Sequence, residues 1–203
     1  ARWGRPLHRG VVRKVLDTNP LLVVKDTHYH AALRRTLLSN TDWSLIRSCP
    51  APLLLVKPRQ LADPPSVLAA VDPTHEHDKP RDLDRRILGF ASELAARIGG
   101  PLHVMHAYDT APVLAAASAA TPVAMASVPV AELAAGLEGE HREALDQLLE
   151  EFPAIDRSRV QLLEGTPSRC LAEKAAAEQI DFVVMGAVAR GALQRIFVGS
   201  TAE

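Results

Sequence analysis

Ser66-Val-Leu-Ala-Ala-Val-Asp72 is the stretch that decides the fold. It reads as a short, buried strand that ends on a carboxylate. The next pattern is helical: over residues 81–97, Ile87, Leu88, Ala91, Leu94 and Ala95 share one face, and Gly99 and Gly100 stop the helix. Leu102–Tyr108 (LHVMHAY) is the following strand. After an Ala- and Pro-rich stretch, Ala131–Phe152 reads as an amphipathic helix ended by Pro153. Arg159–Leu163 is a strand, Thr166 and Pro167 cap and open a helix through Gln179, and Phe182–Met185 is another strand. Short apolar strands alternating with helices mark an α/β fold with a parallel sheet and helices on both faces.

Upstream of Ser66, residues 58–65 are rich in proline and read as a linker, with 61–65 as its core. The first sixty residues repeat part of the pattern. Val11–Leu16 is helical, Leu21–Lys25 a strand, Thr41–Arg47 a short helix with Thr41 as its cap, and Pro52–Val56 a strand. Laid on residues 161–203 at an offset of 160, residues 1–43 give eight identities: Arg9, Lys14, Val23, Val24, Ala32, Leu33, Arg35 and Thr41. A repeat this long means duplicated domains, not a solenoid. The expected organisation is the back of a first domain (1–60), a linker (61–65) and a second domain (66–203) without its last helix and strand. Such a chain is truncated at both ends relative to two whole domains, and segment 21–56 has the strands the second domain lacks.

With 47% hydrophobic residues, the chain can bury a core of Ala, Val and Leu. Residues 1–60 hold 11 Lys and Arg against 3 acidic residues, and residues 61–203 hold 12 against 21. The two parts thus carry opposite net charge, which suits intrachain pairing or a homodimer. With little aromatic interleaving, the basic part does not read as a nucleic-acid arm. Cys49 and Cys170 are the only cysteines, which excludes a disulfide framework and suits a cytoplasmic location. The uncharged run Thr110–Ala131 contains Pro112, Pro122 and Pro129, so it reads as a loop or insertion and not a membrane span. It is either a plain excursion or an apolar lid over a ligand, including a lipid.

The segment Gly186 to Thr201 is the candidate binding loop. Gly186 follows a buried strand, and Gly199 and Ser200 stand where the next helix begins. Glycine there lets backbone N–H groups approach phosphates, and a helix N-terminus favours an anion. Ser200 and Thr201 add hydroxyl donors, with Arg190 or Arg195 to neutralise charge. Ordinary turn glycines would look the same. A second cluster comprises His28, His30, His75, His77, His103 and His106, a zinc-compatible set if a strand brings them to one face.

The Gly186–spacer–Gly199-Ser200 segment resembles the phosphate loop of the universal stress protein family. So do Val71-Asp72-Pro73, Leu102–Tyr108 and Glu164-Gly165-Thr166-Pro167. The ending Gly199-Ser-Thr-Ala-Glu203 and the segment Ser39–Pro58 are similar to tandem members of the E type. The resemblance implies a flavodoxin-like fold, a role in bacterial stress response and, in many members, ATP binding. By position, Asp72 would meet adenine or ribose, Ala107 would line the adenine pocket, and Gly186, Gly199, Ser200 and Thr201 would hold ribose and phosphates. The sequence departs from the pattern at Ala189, where ATP-binding members have a glycine. The equivalent positions of the first copy are Asp26, Tyr29 and Ser39, so that copy has lost the motif. The expectation is a nucleotide- or small-ligand-binding protein with at most slow ATP hydrolysis. The alternatives are a metal- or lipid-binding module and a ligand-free dimerisation module.

Overall fold

A computed structural model describes residues 6–27, 39–74, 80, 82–113, 115 and 130–187. The described chain divides after Gln60 into two compact units.

The first unit contains helix α1 (Leu7–Thr18), strand β1 (Val23–Asp26), helix α2 (Asn40–Ser48) and strand β2 (Leu53–Val56). The two strands pair in parallel from Val23 with Leu53 to Asp26 with Val56. Helix α2 begins at Asn40, one residue before the expected start. Ser39, not Thr41, is its N-cap: the Ser39 hydroxyl accepts the Asp42 amide at 3.3 Å, and the Asp42 carboxylate accepts the Ser39 amide at 2.7 Å. A serine three residues before an acid satisfies two orphan donors at once, which a lone threonine cap cannot do. Asp42 is 1% exposed and its other oxygen meets Lys25 Nζ at 2.7 Å, so one side chain ties α2 to β1. Burial pushes its pKa up, but the bonds from Lys25 and Ser39 outweigh it and hold the carboxyl below its ordinary range.

The second unit runs β3 (Val67–Val71), α3 (Leu83–Ile98), β4 (Leu102–Tyr108), α4 (Val130–Glu150), β5 (Val160–Glu164), α5 (Pro167–Ala177) and β6 (Phe182–Met185). All four strands are parallel, in the order β5-β4-β3-β6. Register partners in a parallel sheet point to the same face. Ala69, Val104 and Val184 face α3 and α4, meeting Ile87, Leu88, Ala91, Leu145 and Leu149. Ala70, Met105 and Met185 face the other way, toward Cys170 and Leu171 of α5. With helices on both faces, β3 is buried on both, and Val67, Leu68 and Ala69 are fully inaccessible.

The ends of these elements have local causes. Gly99 closes α3 in the left-handed conformation (φ 67°). Thr166 precedes α5 with Pro167 at its first turn, but its hydroxyl makes no cap bond and donates to Asp109 instead, at 3.3 Å. Helix α5 stops at Ala177, two residues short of the expected end, and Gln179 follows at φ 52°. Asp181 pins the start of β3: its carboxylate accepts the amides of Ala62 and Ser66. No described helix is long and apolar enough to cross a membrane.

Candidate functional site

Strand order determines where a crevice can open. From β3 the chain passes through α3 to β4 on one side, and from β5 it passes through α5 to β6 on the other side of β3. The first connection leaves the carboxyl end of β3 over one face of the sheet and the second reaches β6 over the other, so the two part where strand order reverses, between β3 and β6. In open α/β sheets this divergence leaves the crevice in which ligands bind.

Three of the expected site residues meet at this edge. Val71 is in register with His106, and Ala70 with both Met105 and Met185. One step further along each strand lie Asp72, Ala107 and Gly186. Asp72 and Ala107 continue the Ala70–Met105–Met185 row, so they belong to the α5 face, where Ala70, Ala107 and Met185 are half-buried. Gly186 belongs to the opposite face. A Cβ built on it would stand 2.7 Å from Leu83 Cδ2 and 3.5 Å from Ile87 Cδ1, so its missing side chain lets β6 end close against α3. Gly186→Val is therefore expected to cost about 1–3 kcal/mol of stability through crowding of Leu83, read by urea unfolding. Ala189, Gly199, Ser200 and Thr201 lie outside the described residues.

The rim is built from side chains at the strand ends. The Asp72 amide donates to Asp84 Oδ1 at 3.0 Å, and Thr74 Oγ1 donates to Asp72 Oδ1 at 3.0 Å. Asp84 sits in the first turn of α3 and is 2% exposed. It thus clamps the exit of β3 onto α3 and sets the direction in which Asp72 leaves the strand. Beyond β4 and β5, Thr110 Oγ1 donates to Glu164 Oε1 at 2.7 Å, and Asp109 accepts from the Ala111 amide and from Thr166. The Gly165 amide donates to the Tyr108 carbonyl at 2.8 Å, joining the two loops. Cys170 lies beneath this loop; burial pushes its thiol pKa up, which makes it a packing residue rather than a nucleophile.

The histidines do not form one cluster. His28, His30, His75 and His77 lie outside the described residues. His103 and His106 point to opposite faces of β4, because they are three positions apart. His103 Nδ1 meets Glu178 Oε2 at 2.9 Å, and the other Glu178 oxygen holds the buried Lys174 Nζ at 2.8 Å. Among the described residues no group of three or more His, Cys, Asp and Glu is placed to hold a metal ion.

Burial lowers the His103 pKa from 6.5, partly opposed by the charge of Glu178. The folded state therefore holds this imidazole neutral. Its contribution to stability is present above about pH 6.5 and is lost as the pH falls below that value, where the unfolded chain takes up the proton first. The midpoint of thermal unfolding should drop between pH 7.5 and 5.5, and His103→Gln should flatten that drop.

His106 lies on the α3 and α4 face and is 1% exposed. Its Nδ1 is 3.0 Å from the Val71 carbonyl, and its Nε2 is 2.7 Å from Nδ1 of His141, on α4, which is 2% exposed. The His141 ring stacks on Tyr108, with centroids 5.0 Å apart. The sequence reading missed His141, Asp84, Thr110 and Asp109. For His141 a signal existed: it is four residues before Leu145 and eight before Leu149, in the buried stripe of its helix.

Comparison with known proteins agrees with this architecture. Residues 66–203 match the model of the Universal stress protein family. The chain is 27% identical over 203 residues to Universal stress protein E of Photorhabdus laumondii and 25% identical over 202 residues to that of Escherichia coli. Both alignments cover 99% of this chain and 62% of the relative, so the chain spans about three fifths of the length of these curated relatives. Among solved structures, a functionally unknown protein from Pseudomonas aeruginosa superimposes with a TM-score of 0.76 at 24% identity, covering 99% of this chain and 64% of the other. A universal stress protein from Archaeoglobus fulgidus gives 0.60 at 18% identity, covering 97% and 61%. These two likenesses bear on the fold, which is the flavodoxin-like α/β arrangement described above.

Proposed function

The chain belongs to the universal stress protein family, and on that premise we propose that it acts in the bacterial stress response by binding a nucleotide, ATP, at the carboxyl edge of the β3–β6 sheet. The observation that carries this reading is the placement of Asp72, Ala107 and Gly186 at the carboxyl ends of three adjacent strands, two of which flank the reversal in strand order. The half-buried Ala70, Ala107 and Met185 offer a flat apolar floor for a base. Asp72, directed by Asp84, offers a carboxylate to a ribose or adenine donor. Gly199, Ser200 and Thr201 would complete the site with phosphate donors, and Ala189 would narrow it relative to a glycine. The relatives matched are tandem members in this reading, and residues 66–203 are the binding half.

The direct test is calorimetric titration of the full chain with Mg-ATP, supported by mass spectrometry of ligands released from the purified protein. Saturable binding is expected, and Asp72→Ala should weaken it at least about tenfold, the effect of losing a charge-assisted hydrogen bond. Equal affinity in the two proteins would remove Asp72 from the site.

A second reading, an association module, is favoured by the first unit. Its parallel sheet has two described strands, with α2 on the side where Lys25 meets Asp42. Val24 and Val56 face away from the Lys25–Asp42 side and are 61% and 39% exposed. A homodimer covering this face would show as a doubled mass in sedimentation equilibrium, and Val24→Lys should return it to the single mass.

A further inference from the structure

The buried imidazole pair is not part of the ligand reading, yet it ends on the residue before Asp72. A carbonyl oxygen only accepts, so His106 Nδ1 carries the proton that reaches Val71 at 3.0 Å. In neutral His106 the other nitrogen, Nε2, then holds a lone pair. That lone pair faces His141 Nδ1 at 2.7 Å, which makes His141 the donor. The bonds run in one direction, from α4 through His106 on β4 to the last residue of β3. Both rings are shut away from water, so a broken link is not replaced by solvent.

Over residues 131–150 of α4, His141 is the first fully buried side chain: residues 131–140 are exposed or half-buried, whereas Leu145 and Leu149 further along lie in the core. The seating of the front half of α4 therefore depends on His141. We propose that His141 is a positioning residue for Asp72, acting through His106, so that the seating of α4 sets the geometry of the β3 end. The coupling is a property of the fold. Its relevance to a ligand rests on the reading that the strand ends bind one.

Two substitutions separate the relay from plain packing. Gln at 141 keeps an N–H donor and loses the ring; Phe keeps the ring on Tyr108 and loses the donor. Amide exchange of the full chain, followed by NMR, reads the Asp72 N–H against Leu68 and Val104 inside the strands. The relay predicts that His141→Phe speeds exchange at Asp72 about tenfold relative to His141→Gln, after correction for the reference amides. Equal exchange in the two variants, or faster exchange with Gln, would overturn it. The unsubstituted protein gives a second reading that needs no variant: ring nitrogen shifts should show the proton of neutral His106 on Nδ1, and a proton on Nε2 would equally sink the relay. Titration with Mg-ATP adds the ligand arm, with weaker binding expected for Phe than for Gln. If the unsubstituted protein binds no ATP, the nucleotide reading fails while the exchange result still decides the relay.

Discussion

Gly100→Ala is expected to lower the stability of the second unit by about 3 kcal/mol or more, seen as a fall of roughly 6–12 °C in the thermal midpoint. A Cβ built on Gly100 would lie 1.7 Å from the Pro65 carbonyl oxygen and 2.9 Å from its carbon. Both are backbone atoms, so no rotamer change relieves the clash. Pro65 leads into β3, and Pro101, the next residue after Gly100, accepts the Val67 amide at 2.9 Å. Moving either segment pulls apart the start of the central strand pair. Gly99→Ala is the informative control. Gly99 has the positive φ (67°), yet nothing lies within 4 Å of its Cβ position. Its replacement should cost only about 1 kcal/mol, the conformational penalty of an ordinary residue in the left-handed region. The larger effect thus belongs to the glycine without the unusual backbone angle. Urea unfolding of the two variants gives the comparison, and an equal loss in both would show that the loop can yield around Pro65.

Gly199→Val is expected to abolish ATP binding altogether, a larger effect than the loss at Asp72. In the proposed site Gly199, Ser200 and Thr201 supply the phosphate donors. Backbone N–H groups bind a phosphate only if the chain can come close to it, and a β-branched side chain both excludes the anion and disfavours the backbone angles glycine allows. Ala189→Gly should act in the opposite direction and tighten binding if the methyl group narrows the site. These two substitutions, made together with a check of thermal stability, distinguish a blocked site from a damaged fold.

Much of the fold was legible because each element carries its own signal. Ser66–Asp72 reads as a buried strand and β3 is inaccessible over Val67–Ala69. Gly99 ends α3 where a glycine pair follows an apolar stripe. The internal repeat places residues 7–18 on 167–178, and the helices found there are Leu7–Thr18 and Pro167–Ala177. Capping was read less well. Thr41 heads the helical pattern Thr41–Arg47, whereas the cap is set by the carboxylate of Asp42, three residues after Ser39. Asp72 and Ala107 enter the candidate site through the family resemblance, and the structure puts them at strand ends. Asp84 reads as an ordinary acid in a first helical turn until β3 is laid beside α3. His141 shares the apolar stripe of Leu145 and Leu149, but its stacking on Tyr108 and its bond to His106 are not in that pattern. Such residues act across the sheet, and a linear pattern does not contain distances between elements.

The most direct measurement of a nucleotide site at the carboxyl edge of the sheet is isothermal titration of Mg-ATP into the full chain, alongside the Asp72→Ala and Gly199→Val proteins, each shown to be folded by circular dichroism. The account predicts saturable binding of one ATP per chain, at least about tenfold weaker with Asp72→Ala and absent with Gly199→Val. No binding to the unsubstituted protein, or one affinity shared by all three, would contradict it.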